Sequence, residues 1–114
     1  MLNLKQIKGY IGEWIIVISY ALNGYKILHR RYKHKLAEID IIAFKKNTVI
    51  FIEVKTRLGN YLLDQVVSHT QKKRIKTCAK LFIARNYKMQ FCNVRFDLAV
   101  VNLFKFNIFL LILF

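Results

Sequence analysis

The sequence predicts an α+β fold, a mixed β-sheet flanked by helices, and three observations carry that expectation. The chain opens on apolar residues at helical period, continues through three strand-like runs rich in β-branched residues, and has a second helical pattern before one or two further strand-like runs. At 114 residues it has the size of one domain (1–114), long enough to bury a single core and too short for two. No Pro, Ser or Gly-rich run marks a linker, and there is no internal repeat or low-complexity tract.

Each element has its own signal. Leu4, Ile7, Ile11, Trp14 with Ile15, Ile18 and Leu22 recur at helical steps, the pattern of an amphipathic helix that ends at Gly24. Gly9, Gly12, Glu13 and Ile16 share another face of it. Interior glycine costs about 1 kcal/mol relative to alanine, so either these glycines let the helix approach the sheet and bring Glu13 to its surface, or they are weak points in a long helix. "YKILHRRY" reads as the first strand, followed by the polar turn "KHK". "AEIDIIAF" and "TVIFIEVKTR" are the next two, separated by Lys46-Asn47. From about Asp64 to Asn86 the pattern is helical, with Val67, Ile75, Cys78, Ala79 and Phe82 on the apolar side and Lys72, Lys76 and Lys80 on the solvated one. "FCNVRFDLAVVNL" and "FNIFLLILF" are again strand-like. Trp14 and the Phe residues read mostly as core.

Twenty Lys and Arg against six Asp and Glu give a formal charge of +14. Such a chain repels itself unless a polyanion is near, so nucleic acid or an anionic membrane surface is the implied partner, the alternative being a soluble protein that is merely basic. The two cysteines, Cys78 and Cys92, have no C-x-x-C spacing and the three histidines are scattered, which argues against a disulfide framework or zinc site and for a reducing, cytoplasmic compartment. "WIIVISYAL" follows Lys5 and Lys8 but is interrupted on its approach by Glu13 and has no small-x-small cleavage pattern after it. Both it and "NIFLLILF" fall short of the ~18 apolar residues of a spanning helix, so no stable membrane span is expected.

Three of the six carboxylates, Glu38, Asp40 and Glu53, fall between residues 37 and 57. If Lys46 and Asn47 form a two-residue hairpin tip, Lys45 pairs with Thr48, and counting outward sets Asp40 opposite Glu53 and Glu38 opposite Lys55. Period-two alternation then projects all four side chains to one side of the sheet. Opposed like charges about 5 Å apart destabilise a ladder, and a divalent cation between them reverses that cost. Mg²⁺ suits one or two carboxylates and a carbonyl, here Asp40, Glu53 and the Val54 C=O. Lys55 would stand beside the ion, able to orient water or stabilise charge developing on phosphate. These are the parts of a phosphodiester hydrolase. The alternative, an E-x-K solvated ion pair, is weakened by the hairpin register, the scarcity of acids elsewhere and the basic charge.

Asp40 followed by Glu53-Val54-Lys55 resembles the PD-(D/E)XK signature of restriction-endonuclease-like nucleases, without a Pro before the Asp. More closely, the chain is similar to the YraN-like family of uncharacterised bacterial proteins in that superfamily. The likeness rests on Gly9-x-x-Gly12-Glu13, Gly24-Tyr25, Ala37-Glu38-Ile39-Asp40-Ile41-Ile42, Phe51 to Arg57, and Arg95-Phe96-Asp97. It implies an α/β/α restriction-endonuclease-like fold and a site for Mg²⁺ (or Mn²⁺) built from Asp40 and Glu53, with Lys55 as the third signature residue. Archaeal Holliday junction resolvases, distant relatives by fold, carry a Glu on the first helix at the site's edge, and Glu13 matches it. Glu38 matches the Glu of the family's Gly-Glu-Ile-Asp stretch, with metal binding and pairing to Lys55 as alternative roles. Three departures stand out: Ala37 replaces a Gly, Gln71 sits where the family has a Lys beside Lys72 and Lys73, and the end from Phe104 onward is unusually apolar.

Lys72, Lys73, Lys76 and Lys80, and Arg57 at the end of the third strand, are candidates for tracking a phosphate backbone, the helix lysines alternatively forming a solubilising face. Arg30 and Arg31, with Tyr32, could do the same from the first strand, whereas Arg95 and Asp97 read as a structural pair. The expected function is a Mg²⁺-dependent nuclease acting on DNA rather than RNA, on branched or recombination intermediates. One alternative is a nucleic-acid-binding protein of nuclease fold with little or no cleavage activity. The other is a small basic protein that docks on a membrane or protein through its apolar ends. If the apolar C-terminal segment is an edge strand it needs a partner, and a homodimer contact would provide one.

Overall fold

A computed structural model describes residues 1–35, 37–58, 68–105 and 107–113. The elements run α1 (Leu4–Leu22), β1 (Lys26–His34), β2 (Ala37–Lys45), β3 (Thr48–Arg57), α2 (His69–Arg85), β4 (Asn93–Asn102) and β5 (Asn107–Ile112), with a 3-10 turn at Tyr87–Met89. The beginning of the second helical pattern, Asp64 to Val67, lies outside the described residues.

One sheet of order β1-β2-β3-β4-β5 is antiparallel except for the parallel pair β3–β4. A parallel pair needs a long crossover, and α2 lies in it. Ile16, Val17 and Tyr20 of α1 pack on Ile41, Ile50 and Ile52 on one face. Ile75, Cys78 and Phe82 of α2 pack on Ile42, Val49 and Phe51 on the other. This is the mixed, helix-flanked sheet of the restriction-endonuclease-like fold.

Local chemistry explains the element ends. Asn3 and Gln6 form a capping box at the start of α1, satisfying backbone donors that the first turn leaves free. Gly24 (φ 88°) takes the left-handed step beyond the helix. Lys46 and Asn47 are both left-handed (φ 48° and 59°), as a type I′ hairpin turn requires. The register runs from Lys45↔Thr48 to Ile41↔Ile52, as the two-residue turn predicts.

Two expectations need correcting. The first concerns α1, whose Leu4, Ile7, Ile11, Trp14, Ile18 and Leu22 stripe faces outward, while Gly12, Glu13, Ile16, Val17 and Tyr20 are buried. Gly12 lies so close to Thr56 that a Cβ would overlap its hydroxyl, whereas Gly9 has open space around it. The close approach belongs to the glycine face, and periodicity alone does not say which of two faces meets a sheet. Trp14 is consequently no core residue: half-exposed, it carries the Arg30 guanidinium 4.1 Å above its ring. Phe51 and Phe82 are core, but Phe91, Phe104 and Phe109 are exposed.

The second concerns the side-chain alternation of β2. Ile41 and Ala43 face α1, yet Ile39 joins Ile42 in the core under α2. The β1–β2 pairs step from Arg30↔Ile41 to Tyr32↔Ile39, and between them Arg31 is left-handed (φ 55°). Strict alternation is broken across Arg31 and Asp40, so Glu38, Asp40, Glu53 and Lys55 do not share one regular face. β5 is an edge strand with Ile108 to Ile112 exposed. No helix among the described residues is long and apolar enough to cross a membrane.

Candidate functional site

Beyond Ile41↔Ile52 the Asp40 side chain makes the next cross-strand bond: its Oδ2 accepts from the Val54 N–H at 2.7 Å. The carboxylate so takes the place of a main-chain acceptor and is pinned between β2 and β3. Glu53, on the α2 side of β3, is buried. Its Oε1 lies 3.3 Å from Lys55 Nζ and accepts from Gln71 Nε2 at 3.2 Å. Gln71 is therefore an α2 side chain that turns to Glu53.

Burial, then the adjoining Glu53 carboxylate, push Asp40 up to about 8, against the lowering effect of the Val54 N–H; Glu13 and Glu38 act in the same direction as Glu53. Glu53 is raised as well, because burial outweighs the ammonium of Lys55. Two adjacent, largely desolvated carboxylates resist being ionised together, and a proton or a cation relieves them. That is the donor set Mg²⁺ accepts, since it holds few protein carboxylates and keeps several waters. Among the described residues no three His, Cys, Asp or Glu side chains gather about one point, so an ion here would rest on Asp40, Glu53, water and a carbonyl such as that of Val54.

Asp40 opens onto a cleft of about 400 Å³ that Val54, Lys55, Thr56 and Arg57 line from β3, Arg31 from β1, and Lys5, Lys8, Tyr10 and Glu13 from α1. Glu13 lines the same cleft as Asp40, but its carboxylate is engaged: Arg30 Nη2 donates to it at 3.1 Å and Arg31 Nε at 3.2 Å. Arg31 Nη1 also donates to the Tyr10 hydroxyl at 3.0 Å, and the bonds to Tyr10 and Glu13 hold its guanidinium above its ordinary value. Arg30 and Arg31, considered for phosphate tracking, thus form a clamp on Glu13, although Arg31 still borders the cleft. Lys5, Lys8 and Tyr10 line the cleft although no sequence motif marks them. Their signal is position: Lys5 and Lys8 precede Glu13 on the same helix.

Glu38 lines a second cleft, with Ser68, Thr70, Gln71 and Arg74 at the start of α2, and its carboxylate helps to raise both Asp40 and Glu53. Lys55 makes its ion pair with Glu53, whereas pairing to Lys55 is one of the two alternative roles that the sequence leaves open for Glu38. Lys73 and Lys76 lie on the exposed side of α2 and Lys72 is half-buried, whereas Arg57 belongs to the Asp40 cleft. Arg95 and Asp97 are the structural pair expected: Nε and Nη2 each donate at 2.9 Å to the carboxylate, which also accepts from the buried Tyr20 hydroxyl at 2.7 Å.

Residues 12–101 match the family described as uncharacterised protein family UPF0102. The chain belongs to this family. Among UPF0102 relatives, it is 33% identical to a protein of Mesorhizobium japonicum, covering 82% of this chain and 75% of the relative. It is 41% identical to one of Ehrlichia ruminantium over 83% of this chain and 73% of the relative. A third, from Caldicellulosiruptor saccharolyticus, is 41% identical over 85% of this chain and 83% of the relative. The matched region of this UPF0102 chain takes in Glu13, Asp40, Glu53, Val54, Lys55, Arg57 and Gln71.

Proposed function

We propose that this protein is a Mg²⁺- or Mn²⁺-dependent nuclease that hydrolyses phosphodiester bonds in DNA, with branched or recombination intermediates as the substrate class. The observation that carries the reading is the Asp40–Glu53 pair with Lys55 beside it, Asp40 and Lys55 opening onto a cleft that Lys5, Lys8, Arg31 and Arg57 also line. A bound divalent ion supplies Lewis-acid polarisation and a more acidic water. The chain's own residues do the rest. Asp40 and Glu53 hold the ion, Asp40 kept in position by the Val54 N–H. Lys55 orients water or stabilises negative charge developing on the phosphate. Lys5, Lys8, Arg31 and Arg57 attract the sugar-phosphate backbone into the cleft, and Lys72, Lys73 and Lys76 extend that attraction along α2. The Glu13 clamp stiffens the wall between α1 and β1.

The test is cleavage of single-stranded, duplex, flap and four-way-junction DNA, and of RNA, with Mg²⁺ or Mn²⁺, beside Asp40→Asn and Glu53→Gln. Metal-dependent cutting of DNA that both variants lose is expected. Binding without cutting under every condition would replace the reading by that of a nucleic-acid-binding protein of nuclease fold.

A further inference from the structure

Two successive arginines of β1 reach the same carboxylate, which a regular strand does not allow. Side chains of a strand alternate between its faces, so Arg30 and Arg31 would diverge. The left-handed backbone of Arg31 (φ 55°) breaks the alternation, and both guanidinium groups come to Glu13, Arg30 at 3.1 Å and Arg31 at 3.2 and 3.4 Å. The arrangement has two local costs. A bulky residue at positive φ is strained, and the Arg30 Nε is buried with no acceptor among the described residues. Strain of this kind concentrates at binding and catalytic sites.

Here it builds two planar stacks. The Arg31 guanidinium carbon lies 4.1 Å from the centre of the Tyr10 ring, and that of Arg30 lies 4.1 Å from the centre of the Trp14 ring. Tyr10 and Trp14 are one turn apart on α1, and Glu13 ties the two guanidinium groups together. The first stack lines the cleft onto which Asp40 opens, and the second continues it along α1. Trp14 is 50% exposed with Arg30 over one face of its ring, which leaves the other face open to a second planar partner.

We propose that Trp14 stacks an unpaired nucleobase, so that a single strand whose phosphates enter the cleft beside Asp40 is held by a base at the Trp14–Arg30 stack. The proposal rests on the nucleic-acid half of the nuclease reading and narrows its substrate to DNA with unpaired bases. Bases inside a duplex have both faces covered by their neighbours and offer nothing to the ring. Every base has a π-face, so such stacking tolerates any sequence, and cationic side chains beside the ring follow the backbone. A lipid surface has no planar faces to match two guanidinium–ring stacks fixed by one carboxylate.

Trp14 is the one tryptophan of the chain, so its fluorescence reports this contact alone. The full chain is titrated, in chelator so that nothing is cut, with oligothymidylate, with an abasic oligomer of the same length and with relaxed circular duplex DNA. Oligothymidylate should quench the emission saturably, and the other two should leave it unchanged. In filter binding, Trp14→Leu should weaken oligothymidylate affinity about 5- to 150-fold, Trp14→Tyr should restore most of it, and duplex affinity should move by less than about twofold. If Trp14→Leu loses the wild-type circular dichroism spectrum, the comparison of the three ligands on the wild type decides alone. Absence of saturable quenching by oligothymidylate, equal quenching by the abasic oligomer, or an equal loss of duplex binding in a folded Trp14→Leu would overturn the proposal. So would phosphatidylglycerol vesicles that shift the Trp14 emission when oligothymidylate does not. A chain that cuts nothing can still pass this test, and one that fails it while binding duplex DNA in a salt-dependent way leaves the nuclease reading intact.

Discussion

Asp40 carries the largest electrostatic burden in the described site. Its ordinary value of 3.8 is raised to about 8 in the fold, so between these limits the folded chain keeps a proton that the unfolded chain releases. The resulting penalty is absent below pH 3.8, grows as pH rises and is complete above about 8. With chelator present, the melting temperature should therefore fall between these pH values. Asp40→Asn should flatten that fall and melt higher than wild type at the alkaline end, while added Mg²⁺ should raise the wild type only. Gly12 and Gly9 make a contrast of another kind. Gly12→Ala forces a methyl into Thr56 and should cost about 1–3 kcal/mol. Gly9→Ala meets open space and should stabilise by about 0.5–1 kcal/mol through helix propensity, both read by urea denaturation.

At the scale of elements, the β2–β3 hairpin was legible because a two-residue turn sets a register, and the register put Asp40 level with Glu53. The Lys46-Asn47 turn adopts a geometry that Asn-Gly favours, so Lys46→Asn with Asn47→Gly should stabilise by about 0.5 kcal/mol or more in chemical denaturation. The faces of the strands were less legible. Alternation assumes regular backbone, and Arg31 with positive φ opposite Asp40 breaks it. A left-handed arginine within a strand has no sequence signal of the kind glycine or asparagine provides. The core face of α1 was hidden for a different reason: its outward stripe is the more apolar of the two, and the buried one includes Gly12 and Glu13.

For the whole molecule, five of the twenty basic residues, Lys5, Lys8, Arg31, Lys55 and Arg57, line one cleft together with Asp40 and Glu13. Binding of duplex DNA should weaken with salt, and Lys5→Gln with Lys8→Gln should reduce the slope of log affinity against log salt by up to about 2, since each released phosphate contact contributes about 0.9. Fluorescence anisotropy across a salt series checks this. An unchanged slope would remove these two lysines from the nucleic-acid path.

By itself the sequence determined the α+β order of elements, the hairpin register and the family, because periodicity, turn chemistry and residue motifs are local and survive in one dimension. Tertiary structure decided what depends on elements meeting. Gly12 against Thr56 selected the buried face of α1, the Arg30–Arg31 clamp occupied Glu13, and Gln71 rather than its neighbouring lysines came to Glu53. Each is a contact between distant segments, and its energy comes from close packing or desolvated charge that exists only once the layers have closed.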